Sequence, residues 1–273
     1  SEQQLSIYGN GLDKYIDILF YELGVELIEV MEKKHNKLKL KLKIAKNAVL
    51  GPRLYRLMSE DGLSDIRVFS VSQFSNYLEI EKIKVKEKRY NNNIKNAEPV
   101  KKNRTICGSI LSGDLDYYRI DLEQGERLSC EIEAMRLANR FFDPHLSLVD
   151  EKGQVLVACD DSTLLRQDSY LEYVAEKSGK YYLLVRDSEY AGNYSANYRV
   201  HIGDFPRALV SFPSVVKYDE DTKLQYVLAN KEKVTQELHA VKLLGKQQLS
   251  FSQGGQRSPS PIHVLSNKNK SVI

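Results

Sequence analysis

The chain has 273 residues, of which 42% are hydrophobic and 28% charged, and its formal net charge is +3. This length allows about two domains or three small ones, and the charge balance is typical of a globular protein and too small to indicate nucleic-acid binding. No apolar run approaches the roughly 20 residues of a membrane-spanning helix, so we expect no membrane insertion. Ser1 to Gln4 have neither the basic nor the apolar part of a signal peptide, so none is expected in this chain, although a mature chain would look the same.

The first 78 residues predict a β module. Apolar residues between Ile16 and Val30 favour strands, with a helix over residues 17–21 as the alternative, and Asp61-Gly62 is a hairpin signal. Residues 37–44 show the clearest pattern of the chain, because Leu38, Leu40, Leu42 and Ile44 alternate with Lys37, Lys39, Lys41 and Lys43. The lysine face could bind an anion. We favour the alternative, an edge strand that lysines protect against pairing with another edge.

Residues 79–104 change in character. They combine glutamates, many lysines and the run Asn91-Asn92-Asn93, and no clear apolar period remains. This composition predicts a charged linker or an incoming strand.

Residues 105–204 predict a β-sandwich of jelly-roll type. Gly113-Asp114 is a turn signal, and strands follow it in the alternating pattern of a sheet with one buried face. The predicted strands cover residues 106–111, 117–122, 127–135, 145–150, 154–158, 170–174, 180–186 and 194–202. Eight short strands in about 100 residues are typical of this architecture.

Residues 205–273 follow a proline-containing hinge and again alternate, which predicts a second outer β module, complete or incomplete. Its ending, with Gly and Ser before a short strand, is similar to residues 62–71. The similarity indicates that the outer modules are copies of one unit. The predicted fold class is therefore all-β, with a central jelly-roll-like β-sandwich between immunoglobulin-like β-sandwich modules.

The central region resembles the bacterial pre-peptidase C-terminal family. The resemblance extends over about 100 residues and rests on the segments Gly108-Ser109-Ile110, Gly113-Asp114-Leu115-Asp116-Tyr117-Tyr118-Arg119-Ile120, Gly125-Glu126-Arg127-Leu128, Phe142-Asp143-Pro144-His145-Leu146-Ser147-Leu148, Gly153, Asp160-Asp161, Gly179-Lys180-Tyr181-Tyr182 and Tyr194-Ser195-Ala196-Asn197-Tyr198. Residues 133–137 are similar to the variant found in large surface proteins of planctomycete-type bacteria, where immunoglobulin-like modules flank the domain. The resemblance implies an exported jelly-roll domain that is appended to other domains.

The resemblance also implies a calcium site, because the related domain of clostridial collagenases binds calcium and collagen. Asp116 matches the acidic residue before the Tyr-Tyr pair of that site, and Asp114 lies beside it. Glu87, Asn91 and Asn92 match the preceding acidic and Asn-rich segment, with Glu79 and Glu81 as a rival pair of acids. Tyr90 stands where the family has a proline. The alternative is that Asp114 and Asp116 only form a turn and that the linker is solvated.

No catalytic signature accompanies these residues. None of the five histidines lies in an HExxH motif, and the sequence contains no GxSxG, P-loop or GxGxxG motif. Cys107, Cys130 and Cys159 are too scattered for a zinc site and are expected to be buried thiols, or one disulfide and one free thiol. We therefore expect no enzyme activity. Asp160-Asp161 is expected to be a loop after a strand.

These observations predict a non-catalytic extracytoplasmic module for adhesion, for binding a substrate or matrix, or for spacing. Its partner would be a protein or polysaccharide of the matrix or cell envelope. One alternative is the accessory region of a secreted peptidase. Another is a lectin-like carbohydrate-binding module, for which Tyr117, Tyr181 and Tyr182 are candidate contact residues, although core packing is the favoured role of these tyrosines.

Overall fold

The computed structural model describes residues 1–79, 90–138 and 141–268. These ranges contain strands and only short 3-10 turns, at Leu12–Lys14, Ile94–Asn96 and Met135–Leu137. The predicted all-β class is thus confirmed. In the same ranges, no helix has the length and apolar character to cross a membrane. The chain divides into two compact units, Ser1–Val71 and Ser72–Ile273.

The first unit is a β-sandwich with a three-stranded and a four-stranded sheet. Its strands are β1 (Glu2–Tyr8), β2 (Tyr15–Phe20), β3 (Val25–Lys34), β4 (Lys37–Ile44), β5 (Gly51–Ser59), β6 (Gly62–Leu63) and β7 (Arg67–Val71). One sheet has the order β1-β4-β3, and in the other β5 pairs with β2, β6 and β7. Residues of both sheets, such as Leu40 and Tyr55, form one apolar core.

The alternating strand β4 has the predicted faces but not the predicted position. Leu38, Leu40 and Leu42 are buried, as expected. However, β4 is the central strand of its sheet, so the edge-strand interpretation of the lysines is wrong. Neighbouring strands supply glutamates instead, in the ion pairs Lys37–Glu32, Lys41–Glu2 and Lys43–Glu26. These pairs neutralise much of the lysine face, which argues against an anion-binding stripe.

The second unit begins with a larger sandwich of two five-stranded sheets, the central sandwich. Its strands are β8 (Ser75–Leu78), β9 (Glu98–Pro99), β10 (Arg104–Ser109), β11 (Asp116–Leu122), β12 (Arg127–Glu133), β13 (Pro144–Val149), β14 (Val155–Cys159), β15 (Tyr170–Val174), β16 (Gly179–Asp187) and β17 (Asn197–Gly203). The sheets have the orders β15-β12-β17-β10-β8 and β14-β13-β16-β11-β9. Apolar residues from both sheets fill the space between them.

All eight strands predicted for residues 105–204 are present, with ends that differ by a few residues. The order of the sheets could not be predicted from alternation. In particular, Ser75–Leu78 pairs in parallel with β10, so this segment belongs to the central sandwich and not to the first module. Glu98–Pro99 pairs in parallel with β11, so this part of the predicted linker is an edge strand.

The C-terminal module completes the second unit with two three-stranded sheets and a small hairpin. Its strands are β18 (Ala208–Phe212), β19 (Val215–Lys217), β20 (Thr222–Leu228), β21 (Lys233–Leu238), β22 (Gly245–Leu249), β23 (Ser252–Gln253), β24 (Gln256–Arg257) and β25 (Ile262–Asn267). It has its own core around Phe251 and Tyr226. It nevertheless forms one compact unit with the central sandwich.

Candidate functional site

Four of the five residues predicted to bind a metal lie in the described part of the chain, beside the loop between β10 and β11. Asp116 begins β11, and Asp114 lies in the preceding loop. Asn91 contacts β11 through its backbone carbonyl, which accepts a hydrogen bond from the Tyr117 amide at 2.9 Å. Asn92 follows it, and its side-chain amide donates to Asp114. The fifth residue, Glu87, lies outside the described residues.

Glu79, from the rival pair of acids, reaches this location because β8 pairs with β10. Its backbone amide donates to the Cys107 carbonyl at 3.2 Å. Its carboxylate accepts a hydrogen bond from the Ser109 amide at 3.1 Å. The pairing of β8 with β10 thus turns Glu79 into the core, where it is fully buried.

Two tyrosines connect Glu79 to Asp116. The Tyr118 hydroxyl donates to Glu79 Oε1 at 2.7 Å, and the Tyr198 hydroxyl donates to Asp116 Oδ2 at 2.7 Å. The two hydroxyl groups also contact each other. We call Glu79, Asn91, Asp116, Tyr118 and Tyr198 the carboxylate–tyrosine cluster. All five residues are buried.

Gly108 is required for this arrangement. It lies opposite Tyr198 in the pairing of β10 with β17. A Cβ atom on Gly108 would lie 2.2 Å from Cζ of Tyr198, so any other residue would collide with the ring. The conformation of the neighbouring loop depends on Gly192, whose φ is 138° and whose Cβ would meet the Ile110 carbonyl at 2.6 Å.

The carboxylate–tyrosine cluster includes two acidic side chains and no basic side chain. Neither Glu79 nor Asp116 has an ion pair with a Lys, Arg or His among the described residues. Burial raises the pKa of Glu79, and burial together with the charges of Glu79 and Asp114 raises the pKa of Asp116 well above its usual range. Without a cation, the two carboxyl groups are therefore expected to retain a proton to higher pH than they would in water.

Three atoms of the cluster have no hydrogen-bond partner among the described residues: Asp116 Oδ1, Asn91 Oδ1 and Asn91 Nδ2. Buried polar atoms are nearly always paired, so the unpaired carboxylate oxygen of Asp116 and the unpaired amide oxygen of Asn91 are exceptions among the described residues. Both are oxygen donors of the type that calcium prefers.

Asp114 has a different role from Asp116, because both of its carboxylate oxygens already accept hydrogen bonds. Its carboxylate accepts hydrogen bonds from the Leu111 and Leu115 amides and from the Asn92 side chain. These bonds hold the loop in its turn, which is the structural alternative considered for this residue. Within the described ranges, no three His, Cys, Asp or Glu side chains form a group that could hold a metal ion. The cluster fits a cation only if Asn91 supplies an oxygen beside the two carboxylates.

A second group of buried charges was not predicted. The alternation of β12 predicts that Glu131 and Glu133 face solvent, but both are fully buried. They belong to a set that we call the arginine–carboxylate cluster: Glu131, Glu133, Asp168, Arg136, Arg199, Arg207 and His201. Ser260 of the C-terminal module contacts both Arg136 and Glu131. The C-terminal module therefore covers a sheet face that the sequence pattern marks as polar.

This second cluster is internally neutralised. Arg136 donates to Asp168 at 2.5 Å and lies 3.2 Å from Glu131. Burial alone would raise the pKa of Glu133, but His201, Arg199 and Arg136 lower it to about 2. These ion pairs hold charges that would otherwise be costly to bury. Glu79 and Asp116 lack such cationic partners. The carboxylate–tyrosine cluster is therefore the candidate site for a cation.

His201 lies in a chain of hydroxyl, imidazole and carboxylate groups. Its Nδ1 is 2.9 Å from Thr105 Oγ1, and its Nε2 is 3.1 Å from Glu133 Oε1. This order is the order of a catalytic triad. However, Thr105, His201 and Glu133 are at most 1% exposed, so a substrate cannot reach the hydroxyl in this conformation. The chain is better explained as part of the core beneath the C-terminal module.

The remaining candidate residues are placed as follows. Tyr181 and Tyr182 are buried, and Tyr181 packs in the core, so neither offers a platform for a sugar ring. Tyr117 is half-buried. Cys107, Cys130 and Cys159 form no disulfide. The expectation of buried thiols is confirmed for Cys130 alone, because Cys107 and Cys159 are only half-buried.

No family model matches the chain, and no curated protein matches it. Among solved structures, it is similar to the pre-peptidase C-terminal domain of a collagenase from Bacillus anthracis, with 19% identity over 39% of this chain and 93% of that chain and a TM-score of 0.32. It is also similar to a periplasmic inhibitor of g-type lysozyme from Aeromonas hydrophila, with 15% identity over 39% of this chain and 96% of that chain and a TM-score of 0.28. A third is SGBP-B of a Bacteroides ovatus mixed-linkage glucan utilization locus, solved with a heptasaccharide, with 10% identity over 72% of this chain and 70% of that chain and a TM-score of 0.24. Similarity at this level assigns neither a family nor a function.

Proposed function

We propose that this chain is a non-catalytic β-sandwich module of an exported protein, in which calcium holds the linker against the central sandwich. Asp116, Glu79 and Asn91 would hold the ion, with Asp114 and Asn92 positioning the loop beside it. The module would serve adhesion, binding of a matrix or substrate, or spacing. Its ligand would be a protein or polysaccharide of the matrix or cell envelope.

The observation that carries this proposal is a pair of buried carboxylates without a cationic partner. Glu79 and Asp116 are fully buried, and Asp116 Oδ1 has no hydrogen-bond partner among the described residues. Burying an ionised carboxylate without compensation is costly. A divalent cation would supply the compensation, and calcium suits a site of carboxylate and amide oxygens.

The position of the cluster supports a role for calcium in fixing the linker. Asn91 bonds to β11 through its carbonyl oxygen, and the Val100 amide donates to the Arg119 carbonyl at 2.9 Å. Calcium would add Asn91 to a site whose carboxylates come from the central sandwich. Extracellular modules bind calcium with dissociation constants of about 10⁻⁴–10⁻³ M, so the site would be filled outside the cell and largely empty in the cytosol.

A calcium titration tests the metal site. Metal-stripped protein at pH 8 is titrated by calorimetry and by thermal melting, with magnesium in parallel. We expect heat and a raised melting temperature with calcium, a weak response to magnesium, and loss of both in Asp116→Asn. Asp121→Asn is the matched control, because Asp121 lies on the same strand but is exposed. No heat and no shift in the unmutated protein would contradict the proposed metal site.

Two further assays test the rest of the proposal. Turnover of casein, gelatin or ester substrates that survives repurification would contradict a non-catalytic role. Binding to a glycan array, to collagen and to peptidoglycan, each with and without calcium, would separate a lectin-like module from an accessory region of a peptidase. If the protein binds none of these, a spacer is the favoured role.

A further inference from the structure

We propose that one end of the central sandwich binds an extended, arginine- or lysine-rich segment of a partner protein. The surface consists of Asp143, Asp160, Asp161, Glu189 and Tyr190, and we call it the acidic end surface. These residues lie in the loops between β12 and β13, between β14 and β15, and between β16 and β17. Binding of this kind rests on the role proposed for the module, but it does not need the metal site.

The order of the strands places the acidic residues in a row. β14, β13 and β16 are neighbours in their sheet, and β13 begins where β16 ends, because Pro144 pairs with Asp187. The Ser188 amide donates to the Asp143 carbonyl at 2.8 Å, and the Ser188 hydroxyl contacts the Asp160 carboxylate. Neighbouring strands are about 4.8 Å apart, so the row is about 10–15 Å long, which about three to five residues of an extended chain would span.

The row carries an excess of negative charge. None of Asp143, Asp160, Asp161 and Glu189 has an ion pair among the described residues. Burial, together with the charges of Asp160, Asp161, Asp187 and Glu189, raises the pKa of Asp143 to about 6. Such a surface attracts cationic groups and repels nucleic acid, anionic lipid and acidic polysaccharide.

The basic residues of the same loops and strand ends do not cancel this excess. Arg136 is buried against Asp168, so this pair contributes no net charge. The remaining acids, Asp143, Asp160, Asp161, Asp187 and Glu189, outnumber the remaining arginines, Arg140, Arg166 and Arg186. Arg140 is counted from the sequence alone, because it lies outside the described residues. The charge of the surface therefore favours a basic partner.

Tyr190 adds a contact that suits a guanidinium group. Cζ of Arg186 lies 4.9 Å from the centroid of the Tyr190 ring, so the ring already makes one cation–π contact. Tyr190 is nevertheless 53% exposed, and Tyr194 in the same loop is 87% exposed. An arginine or lysine side chain can pack its aliphatic stem on such a ring while its charge meets a carboxylate. A neutral polysaccharide would leave the carboxylates without counter-charges, so we favour a basic polypeptide.

Hydrogen bonds within the protein hold this surface in place. The buried Asp187 carboxylate accepts hydrogen bonds from the Asp143 and Glu189 amides at 3.1 and 3.0 Å. Tyr190 has a φ of 58°, which a bulky residue rarely adopts. Its carbonyl accepts a hydrogen bond from the Gly113 amide at 2.9 Å. Because these loops are already ordered, a partner would lose little affinity to loop ordering.

Fluorescence anisotropy of labelled peptides with the full chain tests the proposal. A peptide of about eight residues that alternates arginine with serine places its arginines on one side when it is extended. The matching glutamate–serine and glutamine–serine peptides are the comparison ligands. At low salt we expect the arginine peptide to bind, and the other two to bind at least about tenfold more weakly. Added salt should weaken the binding of the arginine peptide, because salt screens exposed charges.

A chelator in this assay separates the surface from the metal site. Peptide binding is then measured without calcium, and the calcium response of the same protein is measured in its own titration. A calcium response without peptide binding would overturn the acidic end surface and leave the metal site standing. Peptide binding without a calcium response would support the surface and contradict the metal site.

Two double variants locate the binding surface. Asp161→Asn with Glu189→Gln removes two exposed charges from the acidic end surface and should raise the dissociation constant at least about fivefold. The matched control is Glu151→Gln with Glu176→Gln, which removes the same charge from exposed turns at the opposite end of the sandwich. The control should change the constant less than about twofold, since charges beyond a Debye length are largely screened. Melting curves of both variants verify folding.

Tyr190→Leu tests the ring, because it keeps an apolar side chain but removes the cation–π contact. It should weaken the arginine peptide, and unchanged affinity would contradict the proposed ring contact. Equal binding of the three peptides would overturn the proposal. Equal weakening by the two double variants would also overturn it, because only net charge would then matter. Glycan binding that needs Tyr190 but not the carboxylates would replace the basic partner with a lectin-like surface.

Discussion

Replacing Asp116 by Asn is expected to change stability in opposite directions with and without calcium. In the metal-free protein at pH 8, the Asp116 carboxylate is buried beside Glu79, and its Oδ1 atom is unpaired. Desolvation and the repulsion of the neighbouring carboxylates both disfavour an ionised carboxylate at this position, so a neutral amide of the same shape should stabilise the metal-free protein. With calcium at a hundredfold excess over its dissociation constant, the unmutated protein gains about 2.7 kcal/mol that the variant lacks.

The pH dependence of the metal-free protein follows from the same groups. The folded-state pKa values of Glu79 and Asp116 are raised, so the folded protein holds their protons more tightly than the unfolded chain does. Their contribution to stability is therefore fully present below the unfolded pKa values of 4.5 and 3.8 and is lost as pH rises through the raised folded values. Asp116→Asn should flatten this dependence.

Thermal melting without calcium and with calcium at a hundredfold excess over its dissociation constant, at several pH values, measures both effects. For a unit of about 200 residues, 1 kcal/mol shifts the melting temperature by about 2–4 °C, so the calcium effect should be about 5–11 °C. Asp121→Asn should follow the unmutated protein in both conditions. Equal destabilisation by Asp116→Asn with and without calcium would refute the argument, because the effect of the substitution would then not depend on the metal.

Three further changes test the structure around the site and in the first unit. Leu40→Ala in the first core should cost about 2–5 kcal/mol in the free energy of unfolding, whereas Lys41→Gln on the opposite face should cost within about 0.5 kcal/mol; similar losses in urea unfolding would contradict the assignment of β4. Gly108→Ala should cost about 1–3 kcal/mol through its collision with the Tyr198 ring and should reduce the calcium-induced shift in melting temperature; a full calcium response would show that the ring position is not needed. Arg136→Met should cost about 3–5 kcal/mol because it leaves buried carboxylates without a counter-charge; a loss below 1 kcal/mol in urea unfolding would indicate that water reaches the arginine–carboxylate cluster.

Alternation predicted the strands well because each strand of the central sandwich has at least one face in the core. It failed at Glu131 and Glu133, which follow the period of a solvent-facing row but are buried under the C-terminal module. A period of two identifies a polar face of a strand. It does not tell whether another module covers that face, since the covering residues, such as Ser260, are distant in sequence.

The candidate site was predicted in part for a related reason. Asp114 and Asp116 lie next to a recognisable turn, so their sequence neighbourhood marks them. Glu79 is more than thirty residues away from Asp116 and reaches it only through the parallel pairing of β8 with β10. Parallel pairing leaves no local turn signal in the sequence. The motif spacing therefore favours Glu87 over Glu79, and Glu87 lies outside the described residues.

The two buried acidic clusters of the second unit differ in what balances their charge, and this difference suggests separate roles. Burial alone would raise the pKa of Glu133, but His201, Arg199 and Arg136 lower it to about 2, so the cluster beneath the C-terminal module carries its own counter-charges. Glu79 and Asp116 have tyrosine hydroxyl groups as partners, which donate hydrogen bonds but bring no charge. A proton or a cation must therefore supply the balance. The stability of the carboxylate–tyrosine cluster should then respond to calcium and pH. Calcium should leave the arginine–carboxylate cluster unchanged, so the central sandwich and the C-terminal module should remain one unit in both states.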